Sequence, residues 1–121
     1  MSEVVATELR EHPRLAPTII RAEVERGEKR EQGYLMNVSL GGAFLAIENP
    51  PPPDEAVKVN LLLPWGGGEC HLEARAVWLQ TDENERAIGA GISFVNVPEE
   101  AKSKLKGYLD RFVELAADIT T

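Results

Sequence analysis

The sequence predicts a mainly β domain: a small six-stranded antiparallel barrel with a C-terminal α-helix, preceded by a flexible N-terminal arm. Three observations carry this. Six short runs of alternating or continuous apolar residues follow one another closely, separated by turns rich in glycine and proline. One stripe of helical period occupies the C-terminal end. Residues 1–17 show no clean period and contain Pro13 and Pro17, which suits an arm better than a helix. The expected division is therefore an arm over 1–17 and a barrel over 18–117 whose closing helix covers 98–116.

The elements follow in order. From Thr18, Ile20, Ala22 and Val24 alternate with Arg21, Glu23 and Glu25, the pattern of a half-buried strand. Gly27-Glu28-Lys29 reads as a turn, and a second strand runs through Tyr34, Leu35 and Met36 toward Asn37. Ala43–Ile47 is a third, short and apolar. Asn49 and the four prolines Pro50–Pro53 form a stiff inter-strand loop, although a polyproline II run can also dock in an aromatic groove. Val57, Val59, Leu61 and Leu63 alternate with Lys58 and Asn60. Pro64–Gly68 reads as a hairpin turn whose glycines supply positive φ. A long strand runs from Cys70 to about Gln80, and a polar loop covers Thr81–Arg86. The last strand, Ile88–Val95, places Ile88, Ala90, Ile92 and Phe94 on one face. Pro98, Glu99 and Glu100 suit a first helical turn, and Ala101, Leu105, Tyr108, Leu109, Phe112 and Leu115 then form one apolar stripe.

Composition narrows the function. The 121 residues suffice for one core, and 43% hydrophobic with 27% charged residues fits a soluble globular protein. No stretch looks like a secretory signal, and no apolar run approaches the roughly 20 residues that span a bilayer, so membrane insertion is not expected. Cys70 has no second cysteine to pair with, which fits a reducing cytoplasm. A net charge of −7 argues against DNA or RNA as a partner. The charge is uneven: residues 1–34 hold six Lys/Arg against seven Asp/Glu, and Arg10, Arg14, Arg21 and Arg26 lie there. A small anion can be met locally on that part even where a long polyanion is repelled.

Catalytic and metal signatures are missing. His12 and His71 stand at no metal-ligand spacing. Cys70 and His71 are adjacent, so a strand points them to opposite faces, a core cysteine beside a rim histidine. Ser39 lies outside any nucleophile elbow, and Gly66–Gly68 lacks the Lys and Ser/Thr of a phosphate loop. The expectation is a binding protein, not an enzyme, without a cofactor.

The stretch Asn37-Val38-Ser39-Leu40-Gly41-Gly42 interrupts an apolar pattern with an amide, a hydroxyl and two glycines. Alone it is equally a tight turn. Upstream, Arg10-Glu11-His12-Pro13-Arg14 sets two guanidiniums four residues apart around a stiffening proline. Arginine grips phosphate bidentately and stacks on bases. The Asn37 oxygen can accept from a guanine edge, Ser39 can bond a base or phosphate, and Gly41 and Gly42 let a flat base approach the backbone. These are parts for a guanine nucleotide carrying phosphates.

Together these residues resemble the PilZ family: R-x-x-x-R at Arg10/Arg14, then D/N-x-S-x-x-G at Asn37/Ser39/Gly42. Gly89-Ala90-Gly91-Ile92-Ser93-Phe94 and Ala74–Trp78 also fit the family pattern. The resemblance covers about Leu9 to Leu115. It implies a bacterial receptor for the second messenger cyclic di-GMP, in which the arginine arm wraps over the ligand and the D/N-x-S-x-x-G segment grips a guanine. Carried over, Arg10 and Arg14 would hold phosphate and stack on guanine, Asn37 and Ser39 would read the base edge, and Gly42 would keep the surface open. Leu9, where some members carry a further arginine, implies one ligand per chain. With no further domain in this sequence, the signal would pass to a separate, unidentified protein partner. The resemblance also leaves a second reading: a PilZ-like interaction adaptor in motility or pilus assembly that binds no nucleotide.

Overall fold

The structure is a computed structural model that describes residues 19–120, with side-chain surroundings through residue 115. The expected arm, with Leu9, Arg10 and Arg14, lies outside the described residues. Six strands, β1 (Ile19–Arg26), β2 (Lys29–Met36), β3 (Gly42–Ala46), β4 (Ala56–Leu63), β5 (Gly68–Thr81) and β6 (Ala87–Val95), precede one helix, α1 (Glu99–Thr120). Every neighbouring pair is antiparallel, and the order β1-β2-β3-β6-β5-β4 closes into a barrel. The expected fold class is the observed one.

Alternation decides which face of each strand turns inward. Ile20, Ala22 and Val24 of β1 are buried, as are Val57, Val59, Leu61 and Leu63 of β4. Leu35, Leu45 and Leu61 meet at the centre, each fully enclosed and each worth about 2–3 kcal/mol of burial. β1 and β2 join through a two-residue turn in which Gly27 takes φ 65°. β2 begins at Lys29, well before the apolar Tyr34–Met36. Of its first residues Arg30 and Gln32 face solvent, while Glu31, opposite the buried Val24, is half-buried and meets Arg26 at 3.3 Å.

The proline loop acts as a plug. Pro51 is fully buried, while Asp54 N–H donates to the Ala76 carbonyl (2.7 Å) and Ala76 N–H to that of Glu55 (2.9 Å). Arg26 clamps the loop from β1: its Nε donates to Glu55 (2.8 Å), and its Nη1 meets Glu31 (3.3 Å) and the Asn49 carbonyl. Arg26 is thus consumed by the fold and is not a free anion contact, which corrects the sequence reading of that side chain.

Helix α1 packs on the barrel through Ala101, Leu105 and Tyr108. Its first turn carries Glu99 and Glu100 at the positive end of the dipole, and Lys102 N–H bonds the Pro98 carbonyl at 2.9 Å. The β4–β5 turn is a tight one with Trp65 (φ 59°) and Gly66 (φ 76°) both left-handed. A tryptophan in that region costs on the order of 1–2 kcal/mol. Trp65 stacks on Tyr108 of α1 (centroids 5.4 Å, interplanar 19°), an aromatic contact that offsets part of the cost.

Cys70 is buried beneath α1, with its Sγ 3.5 Å from the Ala101 carbonyl, while His71 faces outward beside Glu69. Burial pushes the Cys70 thiol up, against a smaller opposing pull from Lys104. A raised folded value means that the neutral thiol contributes stability in full below the unfolded value of about 8.5, lost as pH rises through the folded value. Melting temperature is therefore expected to fall above about pH 8.5, and Cys70→Ala to flatten that alkaline slope. An unchanged slope in the variant contradicts the assignment.

β5 and β6 depart from simple alternation. The register steps from Ala76↔Ile92 to Trp78↔Gly91, so Val77 is an inserted bulge residue. Continued alternation from Cys70 would turn Trp78 inward; the bulge turns it out. The register steps a second time, from Gln80↔Gly89 to Thr81↔Ala87, so Ile88 is an extra residue on β6 just past its last pairing with β3 at Gly89. Ile88, expected on the core face with Ala90, Ile92 and Phe94, is consequently exposed while the other three are buried.

Candidate ligand-binding site

Met36 of β2 pairs with Phe44 of β3, and the chain between them forms a loop held by its own short side chain. Ser39 N–H donates to the Gly42 carbonyl (2.9 Å), and the Ser39 hydroxyl donates to that same carbonyl (3.3 Å) while accepting from Gly41 N–H (3.2 Å). Phe94 N–H ties the Gly41 carbonyl to β6 at 2.9 Å. Val38 is buried in the core, so Asn37 and Ser39 on either side of it point outward. The left-handed residue of the loop is Asn37 (φ 53°), a conformation that asparagine tolerates.

The two glycines therefore do different work from the bending that the sequence suggested. A Cβ on Gly42 would lie 2.3 Å from the Ile92 carbonyl oxygen, so this position is fixed by the close approach of β6. A Cβ on Gly41 would meet nothing within 4 Å. Gly41 is simply open, and its N–H is already bonded to Ser39.

Asn37, Ser39 and Gly42 line a shallow depression of about 390 Å³ that Phe44, Val77 and Trp78 complete. Gly41 stands outside that lining. The aromatic wall was not foreseen. Phe44 and Trp78 stack on each other (centroids 5.7 Å, interplanar 29°) and lie flat on β6, where Gly89 and Gly91 offer no Cβ. A Cβ on either glycine would fall 2.2 Å from the ring above it. Two glycines spaced two apart on one strand face are the sequence signal, since such a strip invites neighbouring rings.

Electrostatics separate this depression from the others. Grooves over β1, β4 and β5 carry Glu25 and Glu73 beside Lys58, and a wider one carries Glu31 and Glu55 beside Arg26 and Lys29. Among the described residues, no ionisable side chain lines the Asn37–Trp78 depression. The described residues put no carboxylate in the way of an anionic ligand there, and they offer a flat ring an indole. Among the described residues no cluster of three or more His, Cys, Asp or Glu is placed to hold a metal, and no helix is long and apolar enough to cross a membrane.

A closed six-stranded antiparallel barrel with one helix packed on it and a polar loop beside an aromatic wall defines a small β-barrel class of domain. Residues 8–111 match the PilZ domain, and the chain belongs to the PilZ family. A search of curated proteins returns no match. Among solved structures the chain is similar to the inhibitor of motility MotI/DgrA of Bacillus subtilis, with 12% identity, TM-score 0.66, and coverage of 82% of this chain and 49% of that one. It is similar to the PilZ domain of YcgR from Escherichia coli, solved with c-di-GMP, with 17% identity, TM-score 0.60, and coverage of 86% and 92%. It also resembles apo MrkH of K. pneumonia, with 13% identity, TM-score 0.66, and coverage of 91% and 54%. The chain thus spans about half the length of MotI and MrkH and nearly all of the YcgR domain.

Proposed function

We propose that the protein is a cyclic di-GMP receptor that carries the signal to a separate protein partner. The observation that carries the reading is the depression itself: an amide and a hydroxyl at one end, an aromatic wall at the other, and no carboxylate of the described residues between. Asn37 and Ser39 would bond a guanine edge, and Trp78 would face the base. Arg10 and Arg14, from the arm over 1–17, would clamp phosphate over it. Family membership and the YcgR domain solved with c-di-GMP support the choice of nucleotide. Closing the arm over ligand would change the surface offered to a partner, an order–disorder type of switch. The reaction is binding alone, with no catalytic step and no cofactor, in the cytoplasm where the messenger is made.

The two tryptophans give a direct readout, because Trp78 lines the depression and Trp65 stacks on the helix. Cyclic di-GMP is expected to quench the intrinsic fluorescence of the wild type and of Trp65→Phe alike. Trp78→Phe is expected to lose the quench. A quench that survives Trp78→Phe and vanishes in Trp65→Phe places the ligand elsewhere.

A further inference from the structure

We propose that Leu15, the residue after Arg14, seats on Ile19, Met36 and Leu40 at the outer wall of the barrel and pins the base of the arm beside the ligand depression. The seat forms with or without nucleotide; only its effect on affinity rests on the cyclic di-GMP reading.

The surface comes from the end of one strand pair. Ile19 opens β1 and pairs with Met36, the last residue of β2. Their chain neighbours Ile20 and Leu35 are buried, so Ile19 and Met36 turn outward. Met36 pairs in turn with Phe44, whose ring belongs to the depression. Past Met36 the chain enters the ligand loop, where Leu40 is 41% exposed between Ser39 and Gly41; Ile19 is 56% exposed. Large aliphatic side chains thus face outward at the end of the barrel where β1 begins, next to the rim of the depression.

The occupant is the chain's own upstream segment. Residues 1–18 join the barrel at Ile19, itself part of the seat. Between Arg10 and Ile19, Leu15 is the one large aliphatic residue. It stands four residues before Ile19, within about 14 Å of it even when the chain is fully extended. Carrying the β1–β2 register on from Ile19↔Met36 brings Leu15 level with Leu40. Strand alternation puts it on the same face as Ile19. Pro17 biases Ala16 toward an extended backbone, which suits that path. A side chain on so short a tether has an effective concentration in the millimolar range, which favours it over a free partner on a small apolar surface. With Leu15 seated, Arg14 comes level with Gly41. Its guanidinium then closes on phosphate from a fixed base, and less freedom is lost on binding.

NMR on the full, nucleotide-free chain tests the seat. NOEs are expected from the Leu15 methyls to the Leu40 methyls and to the Met36 methyl. Leu15 methyls at random-coil shifts without those NOEs overturn the seat. So do Ile19 and Leu40 methyl shifts that move with protein concentration, because they give the surface to a second copy. Titration with cyclic di-GMP tests the consequence. Leu15→Ser and Leu40→Ser are each expected to raise the dissociation constant about three- to tenfold. The double variant is expected to be no weaker than the weaker single, because either change empties the same seat. Losses that multiply overturn the coupling. Tyr34→Ser removes an exposed ring outside the seat and is expected to bind like wild type; a loss there equal to that of Leu40→Ser contradicts the placement of Leu15. A chain that gives no heat with cyclic di-GMP defeats the nucleotide reading, and the NOEs still decide the seat.

Discussion

Replacing Arg14 by alanine is expected to weaken cyclic di-GMP binding by about a hundredfold or more while leaving the barrel's melting temperature in place. The size follows from the chemistry of the contact. A bidentate guanidinium–phosphate pair makes two charge-assisted hydrogen bonds of about 1.5–3 kcal/mol each, and each 1.4 kcal/mol is a factor of ten. The described part of the depression supplies no compensating cation, since none of its lining side chains is ionisable. Lysine at the same position keeps the charge without the planar fork, so Arg14→Lys is expected to recover only part of the loss. Glu8 and Glu11 neighbour these arginines in sequence, and an exposed ion pair, worth at most about 1 kcal/mol, would be too weak to displace a bidentate phosphate. Titration of Arg10→Ala, Arg14→Ala and Arg14→Lys beside wild type checks the role, and an Arg14→Ala protein that binds normally removes the arm from the account.

Gly42→Ala is expected to destabilise the barrel by about 3 kcal/mol, near the upper end of overpacking costs, whereas Gly41→Ala should change stability by less than about 0.5 kcal/mol. The two glycines are neighbours in sequence and opposites in surroundings. The added methyl at Gly42 would stand 2.3 Å from the Ile92 carbonyl oxygen, which is backbone and cannot rotate away. Relief requires β3 to leave β6 at the Gly42↔Ser93 pair, beside the Phe94–Gly41 hydrogen bond that holds the loop. The methyl at Gly41 points into open space. Thermal melts should therefore show a drop of roughly 10 °C for Gly42→Ala and almost none for Gly41→Ala. Equal melts for the two variants contradict the packing described.

The contrast between these glycines shows where the sequence was legible. Inward faces of β1 and β4 could be read from alternation because one-sided burial imposes a period of two, and Ala101–Leu105–Tyr108 from a period near four. Asn37 and Ser39 stood out as polar residues in an apolar run, and both reach the surface of one depression. What could not be read depends on contacts between distant segments. The bulge at Val77 has no compositional mark, yet it decides that Trp78 faces out and joins Phe44 over Gly89 and Gly91. The exposure of Ile88 goes with a second step in the β5–β6 register, at a position just past the end of the β3–β6 pairing. Arg26 looked like a free cation until the proline loop folded back and brought Glu55 and Asn49 to it.

Isothermal titration of the full chain with cyclic di-GMP tests the central claim most directly. The account predicts saturable heat with one ligand per chain and a dissociation constant in the micromolar range or below. Absence of heat at tens of micromolar ligand, from protein whose melting curve shows an intact barrel, contradicts it and leaves the interaction adaptor as the reading of this fold.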